Sequence, residues 1–153
     1  MHRLRELAAQ PCRCRLFPAL CVLALLLVAW RAPARAAGLS SALPWTSHQA
    51  ALAAAAGDGR PVLLYFWAPW CYICKKTERL IFSDPVVQRE LPQLIHLVAV
   101  EANADPTLVA EHQVRNLPSF VFLNAKGETV LTLQGYLSSR ELLEAARRVR
   151  GKP

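Results

Sequence analysis

Short continuous apolar runs alternate along the chain with stretches that mix apolar and polar positions, and turn-forming residues separate them. Pro61–Trp67 is an unbroken apolar and aromatic run between turn formers, the pattern of a central strand covered on both faces. Leu94–Val100 is a second such strand. Ser119–Leu123 and Thr129–Leu133 are two more, joined by Asn124-Ala-Lys-Gly127 as a hairpin. Between them lie helices. Ala-rich Ser47–Ala56 has Ser47 as N-cap and Gly57-Asp58-Gly59 as its stop. Cys71–Phe82 follows Pro69, breaks at Ser83-Asp84-Pro85 and continues as a short second helix to about Leu91. Pro106–Gln113 carries Pro at its first turn. Ser138 with Glu141 forms a capping-box pattern that opens a last helix reaching about Val149. The predicted order is α-β-α-β-α-β-β-α. Crossover helices imply a parallel pair and the hairpin adds antiparallel strands, so the class is α/β with helices on both faces of the sheet.

One further run stands apart. Leu16–Trp30 is apolar over 15 residues, follows an arginine-rich start and precedes Ala34-Arg35-Ala36, a small-x-small pattern. This reads as a secretory signal over residues 1–36. Its rival is an uncleaved membrane anchor, but the run falls short of the roughly 20 residues that a spanning helix needs. Either way the remainder is exported. Residues 37–46, with Gly38, Ser40, Ser41 and Pro44, read as a linker, and 47–153 as one domain.

The leader also changes how charge and cysteine content are read. The chain carries a net +7, of which Arg3, Arg5, Arg13, Arg15, Arg31 and Arg35, less Glu6, place +5 in the first 36 residues. The exported part is near neutral, so charge makes no case for nucleic acid. Arg147, Arg148, Arg150 and Lys152 read as a solvated basic close to the last helix. Three of the five cysteines, Cys12, Cys14 and Cys21, lie in the leader, leaving Cys71 and Cys74. Two cysteines so close cannot staple distant parts of a fold; in an oxidising compartment a redox pair is expected.

Cys71 falls where a buried strand gives way to a helix, beside unpaired N–H groups and the positive end of the dipole, which favour thiolate. Cys74, one turn on, is placed to resolve a mixed disulfide. A c-type haem site needs His directly after the second cysteine, and Lys75 stands there. Zinc needs two more ligands, which His96 and His112 do not supply at a finger's spacing. No metal or other cofactor is expected, although two soft sulfurs leave Cu(I) handling as an alternative. His48, His96 and His112 read as ordinary surface or strand-end residues. Trp67 reads as core.

Trp70-Cys71-x-x-Cys74-Lys75 after an apolar strand, with Leu117-Pro118 before another strand, resembles the thioredoxin superfamily over residues 47–150. Cys71-Tyr-Ile-Cys-Lys-Lys-Thr-Glu78 and Phe82-Ser-Asp-Pro-Val-Val-Gln88 are closer still to the C-terminal thioredoxin-like periplasmic domain of the DsbD disulfide reductase family. The resemblance implies a thioredoxin fold with a central mixed sheet. It implies a monomeric thiol-disulfide oxidoreductase of the periplasm, with Cys71 attacking and Cys74 resolving. Its partners would be protein disulfides and a membrane or periplasmic electron donor, since the chain holds no counterpart of that family's membrane-embedded domain.

Also by resemblance, a cis bond joins Leu117 to Pro118, Leu117 offers its backbone to substrate, and Trp70 shields the disulfide and contacts partners. Glu78 lies on the cysteine face of its helix, where it would shuttle a proton to the resolving sulfur; the bland alternative is an i,i+3 pair with Lys75 on a wet face. The chain departs from the family at Tyr65, which stands where a strand Asp is usual and cannot act as a carboxylate base. Tyr72 and Ile73 replace the Gly-Pro between the cysteines of cytosolic-type thioredoxins.

Overall fold

The computed structural model describes Leu39 and residues 42–151; the expected leader lies outside them. The elements are β1 (Trp45–Thr46), α1 (His48–Asp58), β2 (Val62–Trp67), α2 (Tyr72–Thr77), a π-helical turn (Glu78–Phe82), α3 (Pro85–Leu94), β3 (His96–Glu101), α4 (Pro106–Glu111), β4 (Ser119–Leu123), β5 (Thr129–Gln134) and α5 (Ser139–Arg150). They form one five-stranded sheet in the order β1-β3-β2-β4-β5. β2 runs parallel to β3 and antiparallel to β4, and β5 closes the far edge antiparallel to β4.

The continuous apolar run of β2 has the expected cause. All six of its residues are buried, and successive side chains point to opposite faces. Val62, Leu64 and Phe66 join Ala51, Ala55, Val98, Val100 and Leu108 in one core layer, against α1 and α4. Leu63, Tyr65 and Trp67 join the other, which holds Ile81, Phe82, Val87, Leu91 and Leu142 from the π turn, α3 and α5. Cys71 and Cys74 belong to this second layer.

Local chemistry sets the ends. Ser47 Oγ accepts from the Ala50 N–H, and Gly59 takes the left-handed φ of 73° that stops α1. In the hairpin, Asn124 Oδ1 accepts from the N–H groups of Lys126 and Glu128, and Gly127 at φ 84° supplies the turn. The capping box of α5 is complete: Ser138 Oγ accepts from the Glu141 N–H, and Glu141 Oε2 accepts from the Ser138 N–H at 2.7 Å.

Several expectations need correcting. The stretch read as linker contains β1, whose Trp45 and Thr46 pair with Leu97 and Val98, and the buried Leu43. Two residues are too few to show a period. The helix from Cys71 does not run evenly to Phe82: it widens into a π turn after Thr77, where the Ser83 hydroxyl donates to the Glu78 carbonyl five residues back. α3 runs through Pro92 to Leu94 rather than ending near Leu91, its amphipathic face burying Val87 and Leu91.

The basic close to α5 is not merely solvated, since Arg147 pairs with Glu90 and Arg150 donates to the Gln93 carbonyl, both on α3. His48 and His112 are not ordinary surface residues either. Their rings pack 6.4 Å apart with both Nε2 atoms buried and unpartnered. Burial holds His112 below its usual range, Glu111 opposing and His48 adding to the shift. His96 does sit at a strand end, paired with Asp58 at 3.1 Å.

Phe82 ends the π turn fully buried, edge-on to Tyr65 at 4.7 Å and to Trp45 at 5.1 Å. Phe82→Ala is expected to lower the unfolding free energy by about 3–5 kcal/mol. Urea titration would show this as a lower midpoint at unchanged slope; a loss under about 1 kcal/mol would mean that this aromatic contact does not hold the layer together.

Candidate active site

β2 delivers the chain to Ala68, and a tight turn follows in which the Cys71 N–H donates to the Ala68 carbonyl at 3.0 Å. Cys71 is then the N-cap of α2: its backbone is extended, and its Sγ accepts from the Cys74 N–H at 3.1 Å. A sulfur thus occupies the place where Ser or Asp usually satisfies a helix's first N–H groups. Cys71 and Cys74 form a disulfide with Cα atoms 5.2 Å apart. The two sulfur-bearing residues are not equivalent, for Cys71 retains 6 % exposure and Cys74 none. Outside access is to Cys71.

Cys74 is held through its backbone. Its carbonyl accepts from the Glu78 N–H and from the Tyr65 hydroxyl at 3.4 Å. Tyr65 is fully buried, packed against Trp45, Phe82 and Phe120. Burial, reinforced by the charge of Glu78, pushes its phenol far above the ordinary range, the Thr77 hydroxyl only partly offsetting this. Tyr65 therefore stays neutral and donates.

Glu78 begins the π turn and is half-buried. Burial raises its carboxyl, and Lys75 opposes that shift. Among the described residues the two form no ion pair within 4.0 Å. The carboxyl lies in partly desolvated surroundings and on the Tyr65 side of the helix, not on a wet face.

The Leu117–Pro118 peptide bond is cis. Phe66 pairs with Ser119, so Pro118 arrives beside the end of β2, from which the loop to Cys71 departs. The Pro118 carbonyl accepts from the Gly135 N–H at 2.8 Å, and the Ser119 hydroxyl donates to the Asn116 carbonyl. Trp70 and Leu117, far apart in sequence, line one groove with Ala102, Asn103, Val109, Val114, Arg115 and Asn116. Trp70 is 68 % exposed, whereas Trp67 is buried, its indole N–H without a partner.

Sequence reasoning named neither the groove's far wall nor the hydroxyl of Tyr65 as a backbone donor. The first needs tertiary structure. The second had a signal, since Tyr65 alternates with Val62, Leu64 and Phe66 and so faces the helix that carries the cysteines. Among the described residues no cluster of three or more His, Cys, Asp or Glu side chains could hold a metal ion.

A five-stranded mixed sheet, a disulfide between a helix-capping cysteine and one a turn further in, and a cis X-Pro bond before the neighbouring strand define a thioredoxin-type dithiol-disulfide domain. The profile of the thioredoxin-like domain family matches residues 48–150, and the chain belongs to that family. It is 43 % identical over 79 residues to the thiol:disulfide interchange protein DsbD of Salmonella typhimurium, covering 50 % of this chain and 14 % of that protein. The chain therefore spans about a seventh of such relatives. A thioredoxin from Thermus thermophilus superimposes with a TM-score of 0.64 at 31 % identity, over 72 % of this chain and 88 % of that one. The C-terminal domain of Neisseria meningitidis DsbD, in its reduced form, shares the fold at a TM-score of 0.55 and 23 % identity, over 66 % and 92 % of the two chains.

The raised carboxyl of Glu78 makes a pH prediction for the oxidised protein. Between the ordinary glutamate range and the raised value, the folded chain holds a proton that the unfolded chain has lost. Stability therefore falls as pH rises through that window. Glu78→Gln is expected to remove this decline, so the difference between the unfolding free energies of wild type and variant should slope with pH; parallel curves would show that the carboxyl is not perturbed.

Proposed function

We propose that the chain is an exported thiol-disulfide oxidoreductase that reduces, or exchanges, disulfides of extracytoplasmic proteins, with Cys71 as attacking and Cys74 as resolving sulfur. In this reading residues 1–36 direct export as a signal peptide or inner-membrane anchor, 37–46 link, and 47–153 act in the periplasm. The observation that carries it is the asymmetric pair: an outer sulfur that accepts a backbone hydrogen bond at a helix start, and an inner one sealed from solvent.

The chemistry follows from that asymmetry. Once the pair is reduced, the Cys74 N–H and the helix dipole stabilise negative charge on Cys71. The Cys71 thiolate attacks one sulfur of a substrate disulfide, forming a mixed disulfide and releasing one substrate thiolate. The Cys74 sulfur, deprotonated, then attacks Cys71 Sγ. The mixed bond breaks, the Cys71–Cys74 bond forms, and the second substrate thiolate leaves, so two electrons pass to the substrate. Glu78 is the group that takes the Cys74 proton, directly or through water. Leu117 and Pro118 hold the substrate segment in strand-like hydrogen bonding, with Trp70 as the opposite wall. A second dithiol, in the membrane or the periplasm, must return two electrons before the next turnover.

Cys74→Ala should accumulate mixed disulfides through Cys71 in a periplasmic extract, visible as reducible adducts on non-reducing gels, and Cys71→Ala should form none. Equal trapping by both variants would overturn the assignment of roles. Redox equilibration against glutathione tests direction: a reductase is expected nearer the roughly −270 mV of thioredoxin than the roughly −120 mV of a strong oxidant. A value at the oxidising end would make the chain an oxidant.

A further inference from the structure

Cations near the disulfide lack carboxylate partners. Elsewhere Arg60 pairs with Asp58, Arg89 and Arg147 with Glu90, and Arg140 is 3.9 Å from Glu144, while Lys126, Arg148 and Arg150 form no ion pair among the described residues. Lys75, Lys76, Arg79 and Arg115 form no ion pair among the described residues. Lys75 and Arg79 are exposed on the helical run that starts at Cys71, and Arg115 is exposed on the groove that Trp70 and Leu117 line. Of the carboxylates on the elements that carry the site, Glu78 on the same helical run and Glu101 at the end of β3 are half-buried, while Asp105 and Glu111, on the segment that gives Asn103 and Val109 to the groove, are exposed.

The same face carries unusual aromatic exposure. Trp70 and Tyr72 are 68 % and 72 % exposed on either side of Cys71, and Ile73 is partly open. Tyr136, in the turn between β5 and α5, is 43 % exposed, with Lys76 Nζ 4.7 Å from its ring centroid. That cation-π contact ties α2 to the β5–α5 turn. Its ammonium retains hydrogens for an outside acceptor, because no carboxylate is bound to it. Arg115 likewise keeps its whole guanidinium fork free. Open apolar rings ringed by unpaired cations fit a partner of opposite pattern, since charge complementarity governs encounter rate and partner choice more than final affinity.

We infer that this face selects protein disulfides whose cystine is flanked by acidic residues, the carboxylates meeting Lys75, Lys76 and Arg115 while apolar neighbours lie on Trp70 and Tyr72. This rests on the oxidoreductase reading and adds the substrate class. In a nearly neutral domain, unpaired cations at the mouth of the reactive sulfur focus an attractive field there.

The test uses the full chain, reduced and freed of reductant, with three peptides that share one intramolecular disulfide flanked by three Glu, three Ser or three Lys. Second-order rate constants for reduction are measured at low salt and at 0.5 M salt. At low salt the Glu peptide is expected to react at least about tenfold faster than the Lys peptide, the ratio falling to within about twofold at high salt, where charges are screened. In Lys75→Glu/Lys76→Glu/Arg115→Glu the Glu-to-Lys ratio is expected to drop below one; that ratio is internal to each protein, and the wild-type salt series stands without the variant. Equal rates for the Glu and Lys peptides, or a ratio unmoved by salt, would overturn the acidic-substrate inference alone. Failure to reduce the uncharged Ser peptide would overturn the oxidoreductase reading beneath it.

Discussion

The burial of β2 on both faces is the constraint on which the rest depends. A strand with six buried residues must satisfy its backbone on both edges, which β3 and β4 do by pairing along its length. That pairing determines where β2 ends, and its end determines the site. From Trp67 the chain has only the turn through Ala68 before Cys71 begins α2, while the register of Phe66 with Ser119 brings Pro118 alongside. A slip of one residue would send Tyr65 to the opposite layer and move the proline segment away from the cysteines. The two parts of the site, separated by more than forty positions in sequence, meet because one buried strand lies between them.

Within that frame the inner cysteine is positioned by backbone contacts and the outer one is exposed by its cap position. The Cys74 carbonyl receives two donors, one from its own helix and one from the sheet beneath. Tyr65 fills a large volume in the aromatic cluster and still offers its hydroxyl upward, a combination that suits an amphipathic ring. That phenol is held neutral, and beside it the half-buried carboxyl of Glu78 is raised by desolvation. The π turn begins at Glu78, and wide turns of this kind concentrate at functional sites because they re-aim a side chain without ending the helix.

Much of this was legible in the residues. Val62–Trp67 and Ser119–Leu123 read as strands because unbroken apolar runs between turn formers have few other solutions, and Ser138 with Glu141 announced its helix through a cap that needs no tertiary context. The position of Cys71 and Cys74 at a helix start followed from the strand before and the proline near them. What escaped was whatever depends on partners distant in sequence. β1 is a strand only because β3 offers its edge. The π turn, which the Ser83 hydroxyl accompanies with a bond to the Glu78 carbonyl, has no distinct apolar period to mark it within a helical stretch. His48 and His112, separated along the chain, meet only once α1 and α4 cover the same face of the sheet.

The arrangement of charge is partly local: Arg60 pairs with Asp58 across the end of α1 and Arg89 with its neighbour Glu90 on α3, while Arg147 of α5 reaches Glu90 from another element. The mouth of the site is formed by a helix start, a turn and a loop, where Glu78 and Glu101 are half-buried and, among the described residues, no carboxylate is within ion-pair distance of Lys75, Lys76 or Arg115. The attacking sulfur and the unpaired cations therefore share one rim, and a change that supplied a covering carboxylate there would diminish the cations' availability.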